Sequence, residues 1–271
     1  MLRLVNTYFI DRGGNLKRDT IIDSVVGKTF NSNSFGKFVV IDYEHSTKVT
    51  IQFEDTGGVN VTDLYRIRNG SVVDLLAKTN FGVGYIGYGY DNKCENSKKL
   101  FKTWSGLVQR CFDPLWKEKH KCYEQTTCSE DFLCASDFIE WSKSQVGYDG
   151  VDEFGKSFAL DKDLLVKGNK LYSPDICVFV PREVNNLILS NRKVRGNLPL
   201  GVTTKGDRFR ARVSIKNKET ALGVFNTVED AFQAYKEAKE SHIKEVAELW
   251  KDEIDERAYK ALMRWSVEIT D

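Results

Sequence analysis

Arg208, Arg210 and Arg212 alternate with Phe209, Ala211 and Val213, and Ser214 and Ile215 continue the pattern. Alternation with a period of two marks a strand with one covered face and one open face. Guanidinium groups on the open face stand about 6.5–7 Å apart along such a strand. That spacing is commensurate with successive phosphates or neighbouring base edges, and guanidinium pairs bidentately with phosphate or guanine. The segment around the strand adds to the signal. Between Arg192 and Lys218, nine basic residues (Arg192, Lys193, Arg195, Lys205, Arg208, Arg210, Arg212, Lys216, Lys218) stand against one acid, Asp207. The whole chain has 40 basic and 39 acidic residues, a net of +1. A local excess of this size in a neutral chain is the footprint of a polyanion site. A strand charged only to prevent edge pairing would favour lysine and mixed positions. Three arginines on one side point to contact with DNA or RNA.

Other chemically capable residues are sparse or wrongly spaced. The six cysteines include no CxxC pair, and the spacing 111–122–128–134 matches neither a zinc finger nor a zinc ribbon. They read as buried free thiols. His45, His120 and His242 are isolated and read as surface residues. Gly82, Gly84 and Gly87 fit GxGxxG formally, but the glycines run on into Tyr88-Gly89-Tyr90, which cannot open the helix that a dinucleotide site requires. That stretch reads as a glycine–tyrosine linker. No constellation for a sugar or nucleotide enzyme is visible. No apolar run approaches the length of a membrane span. The first twenty residues, mixing Arg3, Asp11, Arg12, Lys17 and Asp19 with single apolar residues, do not read as a signal peptide, so a cytoplasmic protein is expected.

The elements that must position these residues follow from periodicity. The 271 residues, 41% hydrophobic and 12% aromatic, suffice for real cores in two domains or three smaller modules. The fold class expected is α+β, divided into a small β module (1–95), a strand–loop–strand–helix module with preceding helices (96–195) and a C-terminal sheet-and-helix domain (196–271). In the first, Lys37–Tyr43 and Lys48–Glu54 read as strands, with Val49, Ile51 and Phe53 on one face, a turn at Gly57-Gly58 and a last strand at Ser71–Leu75. In the second, Leu100, Trp104, Leu107, Val108 and Cys111 form one helical face, and a short helix around Asp137–Ser142 adds Phe138 and Trp141. Phe158–Asp163 and Ile176–Val180 read as strands, with Pro181 as the first residue of a helix carrying Val184, Leu187 and Ile188. In the third, Glu219–Phe225 is a strand. Thr227 and Asp230 form a capping box, and Ala231, Ala234, Tyr235 and Ala238 face the sheet. A further helix spans 252–264.

The C-terminal segment resembles an AP2 domain. The resemblance is carried by Leu200-Gly201-Val202, by Arg208-Phe209-Arg210-Ala211-Arg212-Val213, by Leu222-Gly223-Val224-Phe225-Asn226-Thr227 and by Glu229-Asp230-Ala231-Phe232-Gln233-Ala234-Tyr235, about fifty residues in register. It implies a three-stranded antiparallel sheet packed on one helix, with duplex DNA bound through the sheet in the major groove. By position, the implied contact residues are Gly201, Thr203, Lys205, Arg208, Arg210, Arg212 and Ser214. Thr203 and Ala221 stand where plant members have Arg and Trp, so base specificity does not carry over.

Residues 98–191 resemble the HNH-like nuclease module of phage-encoded, homing-endonuclease-like proteins that place it ahead of an AP2 domain. The resemblance is carried by Gln109-Arg110-Cys111, by Cys128 and Phe132, by Leu160-Asp161-Lys162-Asp163, by Gly168-Asn169, by Tyr172-Ser173-Pro174 and Cys177, and by Pro181 and Asn185-Asn186. It implies a ββα site in which a histidine activates water and one divalent metal, such as Mg2+, stabilises the leaving oxygen. Asp161 or Asp163 would be the acidic ligand and Asn185 or Asn186 the helix ligand. Lys162 occupies the histidine position, and a lysine beside two aspartates is protonated at neutral pH. The expectation is therefore duplex DNA binding, with metal-dependent nicking through Asp161, Lys162, Asp163 and Asn185 as a possible addition. The alternative is a non-catalytic phage regulator or anti-defence protein that binds DNA or a host protein.

Overall fold

The computed structural model describes residues 18–188, 198–215 and 218–270. The chain separates into two compact units: Met1–Tyr90 with Cys134–Ser136, and Asp91–Leu133 with Asp137–Asp271.

In the first unit a short helix, α1 (Arg18–Val25), precedes four antiparallel strands, β1 (Thr29–Asn31), β2 (Lys37–His45), β3 (Lys48–Phe53) and β4 (Val59–Thr62), paired in the order β1-β2-β3-β4. Val49, Ile51 and Phe53 are buried as their alternation requires, and they join Phe38, Val40 and Tyr43 in one apolar cluster. Helix α2 (Leu64–Asn69) follows, capped by the Asp63 carboxylate on the Arg66 N–H and ended by left-handed Gly70.

The strand expected at Ser71–Leu75 does not form. The edge beside β3 is taken by β4, and the carbonyls that a strand at 71–75 would pair are claimed by side chains. Ser32 Oγ donates to Val72 O at 2.9 Å, and Asn60 Nδ2 donates to Val73 O. Asp74, buried, accepts from Thr56 Oγ1 at 2.6 Å. The GVGYIG stretch opens no helix, but it is no linker either. Tyr85 O and Ile86 O accept the N–H groups of Ala135 and Ser136, and a Cβ on Gly87 would lie 2.3 Å from Cys134 Sγ. Close backbone approach is the reason for that glycine.

The second unit starts with α3 (Glu95–Phe112), which buries the Leu100, Trp104, Leu107, Val108 and Cys111 face. Trp104 Nε1–H donates to Phe132 O at 2.9 Å. Helix α4 (Pro114–Lys119), strand β5 (Thr127–Cys128) and helix α5 (Ala135–Lys143) come next. Strand β6 (Ala159–Asp161) pairs antiparallel with β8 (Val178–Val180), and the intervening β7 (Leu171–Tyr172) pairs parallel with β5. Helix α6 (Arg182–Ile188) starts one residue later than expected, because Pro181 serves as its cap: Pro181 O accepts the Asn185 N–H at 3.1 Å.

Strands β9 (Val202–Lys205), β10 (Arg208–Ile215) and β11 (Lys218–Phe225) form an antiparallel sheet in the order β11-β10-β9, packed on helix α7 (Val228–Trp250). Thr227 Oγ1 accepts the Asp230 N–H at 3.1 Å, and its hydroxyl donates to Asp230 Oδ2 at 2.7 Å, so the capping pair closes through the hydroxyl. The last helix, α8 (Glu256–Met263), is shorter than the expected 252–264. The Asp255 carboxylate accepts the Arg257 N–H and fixes the start of the helix there. Of the three histidines, His45 and His120 are exposed as expected. His242 is buried on α7, with Nδ1 3.5 Å from Glu245.

The approach of helix to sheet is tightest at Gly201. A Cβ there would lie 2.0 Å from a Tyr235 ring carbon, at a left-handed φ of +71°. Gly201→Ala is expected to destabilise the protein by about 2–4 kcal/mol, combining overlap with backbone strain. Urea denaturation measures this, and an unchanged midpoint would contradict the contact.

Candidate nucleic-acid interface

The side chains of β10 separate by parity. Ala211 and Val213 are buried on the α7 side, while Arg208 and Ser214 are exposed and Arg210 and Arg212 half-buried on the other. Register completes this open face. Arg208 lies opposite Lys205 and Arg210 opposite Thr203 on β9; on β11, Val224 lies opposite Arg210, Ala221 opposite Arg212 and Glu219 opposite Ser214. A bulge between Ala211 and Arg212 adds local twist to the sheet. Thr203 beside Arg210 and Ala221 beside Arg212 are both small.

Six of the seven anticipated contact residues therefore share one face: Thr203, Lys205, Arg208, Arg210, Arg212 and Ser214. Gly201 is elsewhere, filled against by Tyr235 beneath the sheet, and its role is helix–sheet packing. Arg192, Lys193, Arg195 and Lys216 lie outside the described residues.

Strand periodicity gave no warning of Glu219. Its Oε1 sits 2.5 Å from Arg212 Nη1, so one of the three arginines is already paired. The cross-strand register that brings the two together is set by the β10–β11 bulge, which a count along either strand alone does not show. Among the described residues, Arg208 and Arg210 make no ion pair.

The ββα residues are arranged differently from an open catalytic site. Asp161 is buried at the end of β6, and its Oδ1 accepts the N–H groups of Asp163 at 2.8 Å and Leu164 at 2.6 Å. This turn caps the strand end. Burial holds the Asp161 carboxyl above the usual carboxylate range, against the lowering effect of those two N–H groups. Lys162 is also buried. Its ammonium donates to Asp163 Oδ1 at 2.5 Å and to Asn169 O at 3.0 Å, and it lies 5.7 Å from the centre of the Tyr172 ring. Asn169 returns a bond to Lys162 O at 2.8 Å and fixes Leu171 from both sides. Asn185 is half-buried and Asn186 exposed on α6, which packs against β6.

This donor set does not fit a divalent metal. One oxygen of Asp161 is committed to two backbone N–H groups, and the cation that Asp163 faces is the ammonium of Lys162. Among the described residues, no three His, Cys, Asp or Glu side chains gather in a way that could hold a metal ion. The remaining residues of the Arg110–Cys177 pattern are tied into packing. Arg110 donates to Tyr172 Oη at 2.7 Å and lies over the Tyr123 and Tyr172 rings. Cys177 lies buried near Asp161, and burial pushes its thiol up to about 12. Not all the thiols are buried as expected: Cys111, Cys134 and Cys177 are, Cys94 and Cys128 are half-buried, and Cys122 is exposed.

What these features define is an α+β chain with a three-stranded sheet, covered by a helix on one face and bearing cations on the other. No protein-family model, no curated protein and no solved structure matches it. Among the described residues no helix is long and apolar enough to cross a membrane.

The raised Asp161 carboxyl has a consequence with a definite sign. The folded state binds this proton more tightly than the unfolded chain, so stability falls as pH rises from the unfolded value through the folded one. Asp161→Asn keeps an oxygen for both N–H groups and removes the buried charge. It is expected to be at least as stable as the parent at pH 7, with an advantage that shrinks toward pH 4. Asp161→Ala, which leaves both N–H groups without their acceptor, should lose about 1–3 kcal/mol. Urea midpoints at the two pH values test this; an Asn variant weaker than the parent at pH 7 would assign the charge itself a favourable role.

Proposed function

We propose that this chain binds duplex DNA, seating the β9–β11 sheet in the major groove with Lys205, Arg208, Arg210 and Arg212 directed at phosphates and base edges. The observation that carries the reading is the segregation on β10: apolar Ala211 and Val213 buried on the α7 side, and three arginines in a row on the opposite face. The major groove admits a β-ribbon of this kind. Thr203 and Ser214 would add neutral hydrogen bonds along the same face. A charged face of this type suits a polyanion better than it suits the apolar core of a protein interface, which favours DNA over a host protein as the partner.

In this reading the ββα module is a structural companion of the sheet. The Lys162 amine is engaged by Asp163 and by Asn169 O, so the residue at the histidine position serves as a packing and hydrogen-bonding partner and is not placed to activate water. The proposal therefore stops at binding. A phage origin and a homing-type role remain what the resemblance implies and are not needed for it.

Fluorescence anisotropy with a random-sequence duplex, in EDTA and from 50 to 200 mM salt, tests the reading. Binding should weaken steeply with salt, and Arg210→Ala should lower the salt slope by about one. Equal affinity of Arg210→Ala and parent would refute the sheet-face assignment. Glu219→Gln releases Arg212 and should tighten binding several-fold at 50 mM salt; a loss of affinity would mean that the pair orients Arg212 for contact. Incubation of supercoiled plasmid with Mg2+ should leave it intact, and nicking abolished by Asp163→Ala would overturn the non-catalytic part of the reading.

A further inference from the structure

The loop that follows β6 and the helix α8 enclose a cleft of about 600 Å³ in the second unit. Leu164, Leu165, Ala261 and the half-buried Trp265 give it an apolar floor, and Arg257, Lys260, Arg264 and Lys167 stand at its rim. Among the described residues, the one acid lining it is Glu268. Two of these cations are paired along the helix, Arg257 with Asp255 at 3.0 Å and Lys260 with Glu256 at 2.6 Å. Arg264 makes no ion pair among the described residues.

The wall of the cleft is held from two directions. Lys167 Nζ donates to Ser266 O at 3.0 Å and lies 5.4 Å from the centre of the Trp265 ring. From α7, Lys236 Nζ donates to Ser266 Oγ at 2.9 Å and to Val267 O at 2.8 Å, and Glu240 Oε1 accepts the Val267 N–H at 2.8 Å. The segment 265–268 is thereby fixed before any ligand arrives, which limits the ordering cost of binding.

A pocket of this size with an apolar, partly aromatic floor and a cationic rim selects a ligand that has a flat apolar part and an anionic part. We propose that the cleft takes one unpaired nucleotide, its phosphate on Arg264 and Lys260 and its base against Leu164, Leu165 and Trp265. None of these residues belongs to the sheet, so the inference goes beyond the duplex reading and does not rest on it. The nucleotide can come from a free mononucleotide or from a single-stranded stretch of nucleic acid, and the two sources share this chemistry.

The test uses the full chain carrying Arg208→Ala, Arg210→Ala and Arg212→Ala, which silences the sheet. Fluorescein-labelled (dT)10 should bind at 50 mM salt, and adding Arg264→Glu should weaken it at least tenfold. Arg264 is exposed at the end of α8, and matching urea midpoints confirm that the variant is folded; Arg264→Gln, which removes the charge without reversing it, should give a smaller loss. An abasic decamer should bind several-fold more weakly than (dT)10. Displacement by millimolar thymidine monophosphate supports the site and assigns it to the free nucleotide; binding of (dT)10 without displacement supports it as a strand site. Affinity unchanged by Arg264→Glu, or an abasic strand that binds as well as (dT)10, would overturn the proposal. So would failure of the sheet-silenced chain to bind either ligand, while duplex binding by the parent would remain a separate result.

Discussion

The packing of α7 on one face of the β9–β11 sheet is the constraint from which the properties of the C-terminal region follow. A strand places successive side chains on opposite faces, so once Ala211 and Val213 are buried beneath α7, Arg208, Arg210 and Arg212 have nowhere to go but the other side. Small residues make the seal possible. Ala231 is fully buried on the helix, and Gly201 admits the ring of Tyr235 where any side chain would collide with it. A slip of one residue in the register of β10 would bury three guanidinium groups without partners, a cost far above anything the packing returns. The same apolar residues that hold the sheet to the helix therefore also hold the arginines in place.

The ββα region answers a different problem, the placement of a buried cation. Lys162 is enclosed almost completely, and an ammonium so placed is tolerated only when its donors are satisfied. Asp163, Asn169 O and the Tyr172 ring supply that satisfaction, and Asn169 in turn ties the loop to both Lys162 and Leu171. Tyr172 is itself held by Arg110 from α3. The chain of contacts from α3 through Tyr172 to Lys162 joins elements far apart in sequence, and each member loses a partner if another is removed. Arg110, Tyr172, Lys162, Asp163 and Asn169 thus form one connected set of contacts.

What could be read in advance was whatever repeats locally. The alternation over 208–215 and the apolar face of α3 are properties of neighbouring residues, and both elements form with those faces buried. The features that escaped depend on partners distant in sequence. Ser71–Leu75 has strand composition but finds its carbonyls taken by Ser32 and Asn60. Two-residue strands such as β5 and β7 have no periodicity to detect, and they pair across more than forty residues. Glu219 reads as an unremarkable strand acid until the bulged register sets it beside Arg212. His242 looks isolated in the sequence, and only the folded unit shows it buried on α7. The acids of the β6 turn were visible as residue types, but whether their oxygens point outward or cap a turn is decided by a backbone conformation that composition does not encode.

The second unit thus carries cations in two settings that differ in kind. On the sheet they form a row on an open, shallow surface, which suits a regular polyanion such as a duplex, because each arginine can meet a phosphate or base edge without deep burial. Around α8 they rim a cleft with an apolar floor, a setting that suits a phosphate joined to a flat apolar group. The two settings share a mechanical element. Helix α7 seals the sheet through Ala231 and Tyr235, and its Lys236 and Glu240 pin the segment that walls the cleft. The helix that holds the sheet's apolar face therefore also holds the segment that walls the cleft.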